Sequence, residues 1–393
     1  MTDQERWALA AQVSALSLFR GLLDQPEMKA LLAFLSSNGA PHERMGLYGQ
    51  FVHTLGRHNG SFSDYLRRAA AEDENAYICN IAKGRAVSDS LKANAEAELR
   101  LFSRLTQLTP QDLCESIAQG YLPVFDNEPT DFVSEYHQRI AQLDRYGFGI
   151  FAAAGMFRVE DKTIVPVEEP DRVGMDSFVG YDEERRKVLE NTRALIEGWP
   201  AANVLLCGDA GTGKSSTVKA CANYFYDQGL RLIEIRKDQL FSLSHVMGRI
   251  SGNPLKFIIF IDDLSFNKND DCFSMLKAAL EGSAGAKADN AVIYATSNRR
   301  HIVKEKFSER GLEDDVHHSD TVQELLSLSD RFGLTVYFSK PNKALYLDIV
   351  HELAERYGVA VDRSELDLKA EAFALARGSR SPRAAEQFVK SLM

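Results

Sequence analysis

The sequence predicts an α/β fold in which a parallel sheet of five strands follows a mainly helical N-terminal region. From Asp176 onward, short apolar segments alternate with segments of helical periodicity, which is typical of a parallel sheet covered by helices. In residues 1–145, apolar residues recur at helical spacing instead, as from Leu91 to Leu105. The five strand candidates are Val204–Cys207, Leu232–Ile235, Phe257–Ile261, Val292–Ala295 and Thr335–Phe338.

These patterns divide the chain into four expected parts. They are a mainly helical N-terminal domain of residues 1–157, a linker of residues 158–176, an α/β core of residues 177–341 and a helical C-terminal lid of residues 342–393. The linker is placed where β-type residues such as Val159 and Ile164 give way to a polar connector that contains Pro166 and Pro170. In the N-terminal domain, Thr109 followed by Pro110 predicts the start of a helix.

Composition and charge favour some classes of protein over others. The 393 residues carry a net charge of −10 and contain no block of lysine and arginine, which lowers the expectation of nucleic-acid binding without removing it. No apolar run approaches the roughly 20 residues of a membrane span. Five scattered cysteines without a C-x-x-C pair fit reduced thiols. We therefore expect a cytoplasmic protein that does not enter a membrane.

Residues 208–215 read Gly-Asp-Ala-Gly-Thr-Gly-Lys-Ser, an uninterrupted match to the phosphate-loop pattern G-x-x-x-x-G-K-[ST]. An apolar strand precedes the loop and a helical segment follows it, so a chance match in a glycine-rich turn is disfavoured. In such a loop, backbone N–H groups point at phosphate oxygens, Lys214 reaches the β- and γ-phosphates, and Ser215 holds Mg²⁺. The expected nucleotide-binding residues are Gly208, Asp209, Ala210, Gly211, Thr212, Gly213, Lys214, Ser215 and Ser216.

Two carboxylates follow the apolar run from Phe257 to Ile261, at the end of the strand where α/β sheets bind their ligands. Asp262 is the candidate to hold Mg²⁺ through water. Asp263 is the candidate catalytic base that polarises the attacking water. The alternative for such a pair is a helix cap.

Three further polar residues are candidates for the same site. Asn298 follows the strand candidate Val292–Ala295 closely, and it could bind the γ-phosphate or the attacking water; Ser297 is the adjacent alternative. Arg331 precedes the last strand, and a guanidinium suits the charge that develops on a transferring phosphoryl group. Arg383 lies in the first turn of a predicted helix and could reach back to the nucleotide; the alternative is a solvated surface arginine.

This ordered set of motifs resembles the AAA+ ATPases, and it is most similar to a bacterial AAA+ family catalogued only as a domain of unknown function. The resemblance covers about residues 140–393. The segments that carry it are Ser177–Arg185, Gly208–Ser216, Asp262–Phe266, Ala295–His301 and Leu328–Leu334.

The resemblance implies specific roles for individual residues. Val179, Gly180 and Tyr181 match the segment that lines the adenine pocket. In AAA+ terms, Asn298 matches the first sensor, Arg331 the arginine finger and Arg383 the second sensor. The sequence departs from the family pattern at Asp263, where a glutamate is commoner, and at Pro382, where a small residue is expected. The shorter Asp263 suggests slow hydrolysis.

The function expected from the residues and the resemblance together is that of an ATPase. It would bind ATP with Mg²⁺ and drive a conformational change on an unidentified protein partner, as a homo-oligomer joined through AAA+ interfaces. One alternative is a binding switch that hydrolyses ATP slowly. Another is a loader ATPase of the kind used in DNA replication or transposition, which the acidic composition disfavours.

Overall fold

A computed structural model describes residues 1–117, 120–264, 271–280, 288–298 and 331–393 of the chain. The chain divides into two compact units, Met1–Ala153 and Ala154–Met393. The first unit is helical, and the second contains the sheet together with the residues of the candidate site.

The first unit consists of short helices around an apolar core. The α-helices in its described residues are α1 (Asp3–Ser14), α2 (Pro26–Ser36), α3 (Pro41–Thr54), α4 (Phe62–Glu72), α5 (Ala76–Ala82), α6 (Asp89–Leu105), α7 (Pro110–Cys114), α8 (Phe132–Ile140), α9 (Leu143–Tyr146) and α10 (Ile150–Ala153). The helix predicted from Leu91 to Leu105 is confirmed as α6, and Phe102 on its buried face packs edge-on against Phe19 with ring centroids 5.1 Å apart.

The predicted helix start at Thr109 is confirmed. The Thr109 hydroxyl accepts a hydrogen bond from the backbone N–H of Asp112, and the Asp112 carboxylate accepts one in return from the backbone N–H of Thr109. This reciprocal arrangement satisfies two N–H groups that a helix terminus leaves without partners.

The second unit is built on one sheet. Its strands are β1 (Met156–Glu160), β2 (Thr163–Pro166), β3 (Val204–Gly208), β4 (Leu230–Glu234), β5 (Lys256–Ile261), β6 (Ala291–Ser297) and β7 (Leu334–Phe338), in the spatial order β2-β1-β4-β5-β6-β3-β7. Strands β3 to β7 pair in parallel and correspond to the five strands predicted from the sequence. Strand β3 is buried along its whole length, as its uninterrupted apolar run predicts.

The sheet has seven strands rather than the five expected. The two additional strands include residues that were expected to form the linker of residues 158–176. Residues 158–166 lie in a hairpin at the edge of the sheet, where β1 pairs in parallel with β4 and β2 pairs antiparallel with β1. The turn between them has positive φ at both Asp161 and Lys162, the geometry that joins tight hairpins. Because Asp-Lys is a weak signal for this turn, the β-type residues before Pro166 were expected to belong to the linker.

Some helices of this unit lie between the strands in the chain, and three more come after the last strand. The α-helices in the described part of this unit are α11 (Asp182–Ile196), α12 (Lys214–Tyr224), α13 (Leu243–Ile250) and α14 (Asp271–Leu280), then α15 (Lys343–Arg356), α16 (Arg363–Ala376) and α17 (Pro382–Lys390). The last three, called the C-terminal helices below, share an apolar cluster of their own that includes Tyr346, Ala370 and Phe388.

The order of the strands decides what can meet at the edge of the sheet. Strands β5, β6 and β3 are neighbours and run in the same direction, so their carboxyl ends lie side by side. Asp262, Asn298 and the glycine loop follow these three ends in turn, which places them at the edge where parallel sheets bind ligands.

Candidate nucleotide-binding site

The glycine loop follows the central strand β3 and leads into α12. Gly208 has φ of +138° and pairs with Phe338 on β7, and a Cβ atom at this position would collide with the Phe338 carbonyl. Gly211 also has positive φ, and its carbonyl accepts a hydrogen bond of 3.3 Å from the backbone N–H of Arg383 in the C-terminal helices. The glycines therefore let the loop lie between a strand and a helix that leave no room for side chains.

Lys214 is folded back into the loop that it follows. It is 5% exposed, and its ammonium donates hydrogen bonds to the carbonyls of Gly208 and Asp209 and to Oδ1 of Asn298, at 2.8, 2.7 and 2.9 Å. Burial lowers the pKa of this ammonium, and the Asp209 carboxylate is the charge that opposes the shift most. These three acceptors are neutral oxygens, and phosphate oxygens would be stronger acceptors for the same cation.

A second cluster of hydrogen bonds surrounds the Asp262 carboxylate. Its Oδ1 atom accepts hydrogen bonds from the Ser215 hydroxyl at 2.6 Å, from the Thr296 hydroxyl at 2.5 Å and from the backbone N–H of Asp263 at 3.1 Å. A serine hydroxyl and a carboxylate side by side are the oxygen donors that Mg²⁺ prefers. The chemistry of this pair fits the metal expected from the sequence.

Asp263 and Asn298 connect the two clusters. The Asn298 side-chain amide donates to Oδ1 of Asp263 at 2.7 Å, while its own oxygen accepts from Lys214. Asp263 has φ of +51°, in the left-handed region that aspartate tolerates better than most residues. The structure therefore brings Lys214, Asp262, Asp263 and Asn298 together in one network of hydrogen bonds.

A cavity of about 410 Å³ opens beside the loop, between the segment before α11 and the C-terminal helices. It is lined by four loop residues, Gly211, Thr212, Gly213 and Ser216, and also by Val179 and Arg383. Its other lining residues include Phe178, Ile349, Leu353, Tyr357 and Glu386. A cavity lined by apolar and aromatic side chains together with a phosphate-type loop matches a molecule with a flat apolar part and an anionic tail.

Gly180 and Tyr181 do not line this cavity, although the resemblance placed them with Val179 at the adenine. Both have positive φ, so the chain turns sharply here into α11. The Tyr181 hydroxyl donates to the carbonyl of Ser339 at 2.5 Å, and its ring packs against Phe338. Tyr181 thus ties the segment to the end of β7.

Arg185 lines the cavity and supports the segment before α11. Its guanidinium lies 4.4 Å from the centroid of the Phe178 ring and donates to the carbonyl of Gly180. Burial lowers its pKa to about 10, so it remains a cation at neutral pH. Arg356 of α15 also lines the cavity, and it donates to the carbonyls of Ser177 and Asp176 at 2.6 and 3.1 Å. These two arginines fix the backbone of residues 176–180.

Arg331 is not brought to the loop of its own chain. It lies in the turn before β7, whose first residue Leu334 pairs with Val204 at the start of β3, whereas the loop follows the end of β3. Gly333 adjoins Ala202, which precedes β3. With about 3.3 Å per residue, β3 separates the two edges by about 13 Å.

Sequence reasoning missed Thr296, Arg185 and Arg356. Thr296 is inside a strand, and its place beside Asp262 follows only from the register, in which Ile261 pairs with Ala295. Arg185 stands next to Arg186, and the pattern of charges does not tell the buried one from the exposed one. The motif residues Ser265, Phe266, Arg299, Arg300 and His301, and residues 328–330, lie outside the described part of the chain.

The phosphate loop on a central parallel strand, the acidic strand end and the adjoining cavity define a P-loop fold, which is what the resemblance to the AAA+ ATPases implies. A family model described as "Protein of unknown function (DUF815)" matches residues 152–393, more than half of the chain. The chain belongs to this family, which confirms the resemblance to a family of unknown function.

No curated protein matches the chain. Among solved structures, a RuvB variant from Thermotoga maritima is similar at 16% identity, over 55% of this chain and 63% of that one, with a TM-score of 0.38. A Thermotoga maritima RuvB structure titled as a Holliday junction branch migration motor is similar at 14% identity, over 56% of this chain and 70% of that one, with a TM-score of 0.33. A structure titled for katanin self-assembly is similar at 15% identity, over 55% of this chain and 69% of that one, with a TM-score of 0.36.

The chain spans less than two thirds of the first RuvB chain that it matches. Likenesses this distant do not carry the activity of RuvB or katanin to this protein. In the described parts of the chain, no helix combines the length and the apolar character needed to cross a bilayer.

Proposed function

We propose that this protein binds ATP with Mg²⁺ in the cavity beside the glycine loop and hydrolyses it to ADP and phosphate. The conformational change that follows would act on a protein partner still to be identified. One observation carries the proposal: Lys214, Asp262, Asp263 and Asn298 come from three separate segments and meet in one hydrogen-bonded network at the glycine loop, part of which lines the cavity.

The residues of the loop would hold the phosphates and the metal. Lys214 would exchange neutral oxygens for phosphate oxygens, which are stronger acceptors for an ammonium. Ser215 would coordinate Mg²⁺, and Asp262 would hold the metal through water. When bound, the metal neutralises charge that develops on the phosphates.

Asp263 and Asn298 would serve the attacking water. Asp263 would accept its proton, and Asn298, which already bonds both Asp263 and Lys214, would orient it near the γ-phosphate. Arg383 lies within the cavity wall, beside Gly211, where a guanidinium could reach the phosphates. The C-terminal helices would then act as a lid over the nucleotide.

Arg331 would act on a neighbouring copy of the chain. Its place at the opposite edge of the sheet from its own loop supports a role between subunits and hence a homo-oligomer. An arginine finger supplied by a neighbour stabilises the charge of the transferring phosphoryl group.

A slow binding switch is the second candidate function. The Asn298 amide holds the Asp263 carboxylate at 2.7 Å, and aspartate is one methylene shorter than the glutamate usual in the AAA+ family. Both features favour a low rate of water activation. In this case the ATP-bound state itself would recruit the partner.

Two substitutions test the roles of the carboxylates. Asp262→Ala should weaken Mg²⁺-dependent ATP binding, whereas Asp263→Asn should leave binding intact and reduce hydrolysis by about 10²-fold or more. Calorimetric titration and phosphate release measure the two effects. Asp289→Asn, an exposed carboxylate just before β6, is the matched control.

If Asp263→Asn hydrolyses ATP at the rate of the parent protein, the base is another residue. Glu281 and Glu305 are the next candidates from the sequence, and both lie outside the described residues. Unchanged Mg²⁺ dependence in Asp262→Ala would remove the metal assignment.

A further inference from the structure

We infer that Thr296 is the positioning residue that sets the orientation of both carboxylates, Asp262 for the metal and Asp263 for the water. The inference rests on the proposed function and adds a residue to it. Thr296 is 2% exposed and lies on β6, one step beyond the last residue pair of β5 and β6. Its hydroxyl is therefore fixed by the sheet rather than by a loop.

The hydroxyl of Thr296 joins the two carboxylates through different bonds. It donates to Oδ1 of Asp262 at 2.5 Å and accepts from the backbone N–H of Asp263 at 2.9 Å. The first bond orients a side chain, and the second anchors the left-handed turn that aims the Asp263 side chain at Asn298. The Thr296 carbonyl also accepts from the backbone N–H of Leu264 at 2.6 Å, which holds the chain after the turn.

The bonds to Asp262 all fall on one oxygen. Ser215, Thr296 and the N–H of Asp263 each donate to Oδ1, and no donor among the described residues engages Oδ2. Holding one carboxylate oxygen in this way leaves the other available to a metal-bound water. Removing a group that hydrogen-bonds a metal-binding side chain commonly changes metal affinity or activity by about 10–100-fold.

The substitution Thr296→Val tests the inference because valine keeps the shape of threonine and removes only the hydroxyl. Mn²⁺ replaces Mg²⁺ as a probe, and its binding in the presence of the non-hydrolysable analogue AMP-PNP is followed by electron paramagnetic resonance. We expect the dissociation constant for Mn²⁺ to rise about tenfold or more, with AMP-PNP binding in EDTA unchanged. Thr296→Ser, which keeps the hydroxyl, should restore the affinity of the parent protein.

Thr192→Val is the matched control. Thr192 is also fully buried, and its hydroxyl bonds Tyr294 on the same strand at 2.8 Å without touching either carboxylate. It should keep the Mn²⁺ affinity of the parent. Equal Mn²⁺ affinity in Thr296→Val and the parent would overturn the inference, and so would an equal loss of AMP-PNP binding in EDTA, because the hydroxyl would then serve the fold. A parent protein that binds neither AMP-PNP nor Mn²⁺ overturns the proposed function itself.

Discussion

Lys214 shows how the site is prepared at the scale of single residues. An ammonium buried to this degree usually pairs with a carboxylate, yet the hydrogen bonds described for it go to two carbonyls and an amide. Each of these acceptors belongs to a different part of the site, namely the end of β3, the loop and the end of β6. A ligand that draws Lys214 away therefore also frees one atom of Asn298.

Replacing Lys214 by alanine should lower ATP affinity by at least about 100-fold. Hydrogen bonds to charged groups contribute about 1.5–3 kcal/mol each, and two such bonds to phosphate would be lost. Calorimetric titration with ATP measures the change. Lys219→Ala is the control, because Lys219 is on the same helix and its nearest carboxylate is Glu234 at 4.0 Å. A folded Lys214→Ala protein with the affinity of the parent would show that phosphate does not bind here.

The site residues that could be identified from the sequence are those that follow an apolar strand or belong to a motif with fixed spacing. Asp262 and Asn298 follow apolar strands closely, and Lys214 belongs to a motif with fixed spacing. Thr296 does not stand out from the strand pattern around it, because threonine is common in β-strands. Its role depends on the register between β5 and β6, and a single sequence does not contain that information.

At the scale of elements, one part of the cavity wall is a short segment held by two arginines from different helices. Arg185 on α11 supports Phe178 and Gly180, and Arg356 on α15 holds the carbonyls of Asp176 and Ser177. Arg185 and Arg186 are neighbours in sequence, but the 100° step between helix positions buries the first and exposes the second. The functional difference between them comes from the packing of α11.

Arg185→Met should separate recognition of the base from recognition of the phosphates. Methionine fills a similar volume but loses the cation–π contact and the bond to Gly180, so ATP affinity should fall about tenfold. Affinity for tripolyphosphate, which has no base, should not change. Calorimetry with both ligands measures the split, and Arg186→Met is the control because Arg186 bonds only surface glutamates among the described residues. Equal weakening of both ligands would assign Arg185 to the loop or the fold instead.

The same scale shows which elements a sequence can predict. The five parallel strands were predicted to within two residues at every end, because each is an apolar run bounded by polar residues. The β1–β2 hairpin was not, because its partner β4 lies more than sixty residues further along the chain. A short strand at an edge is stabilised mainly by such distant pairing, which local pattern does not report.

At the scale of the whole molecule, the location of Arg331 predicts that the active unit is an assembly. ATPase activity should rise more than linearly with protein concentration. Arg331→Ala should bind ATP normally and hydrolyse it about 10³-fold more slowly, the lower end of measured finger effects. Mixing it with Lys214→Ala subunits should restore part of the activity, because each supplies what the other lacks.

The control for this experiment is Arg193→Ala, an exposed arginine in the last turn of α11, which should behave as the parent. Dilution series and sedimentation with each nucleotide measure assembly directly. A monomer in every nucleotide state, with constant specific activity, would contradict a shared site and favour the binding switch.

Strand β7 has a mechanical consequence for such an assembly. It pairs with β3 from Val204 beside Leu334 to Gly208 beside Phe338, so it is rigidly joined to the loop at one end and leads back to Arg331 at the other. In a row or ring of copies joined through Arg331, each copy would bind a neighbour's arginine at its glycine loop and present its own Arg331 to the next copy. Strand β7 would keep these two sites of one copy about 13 Å apart. Strand β7 would then contribute a fixed length to the distance between successive nucleotides.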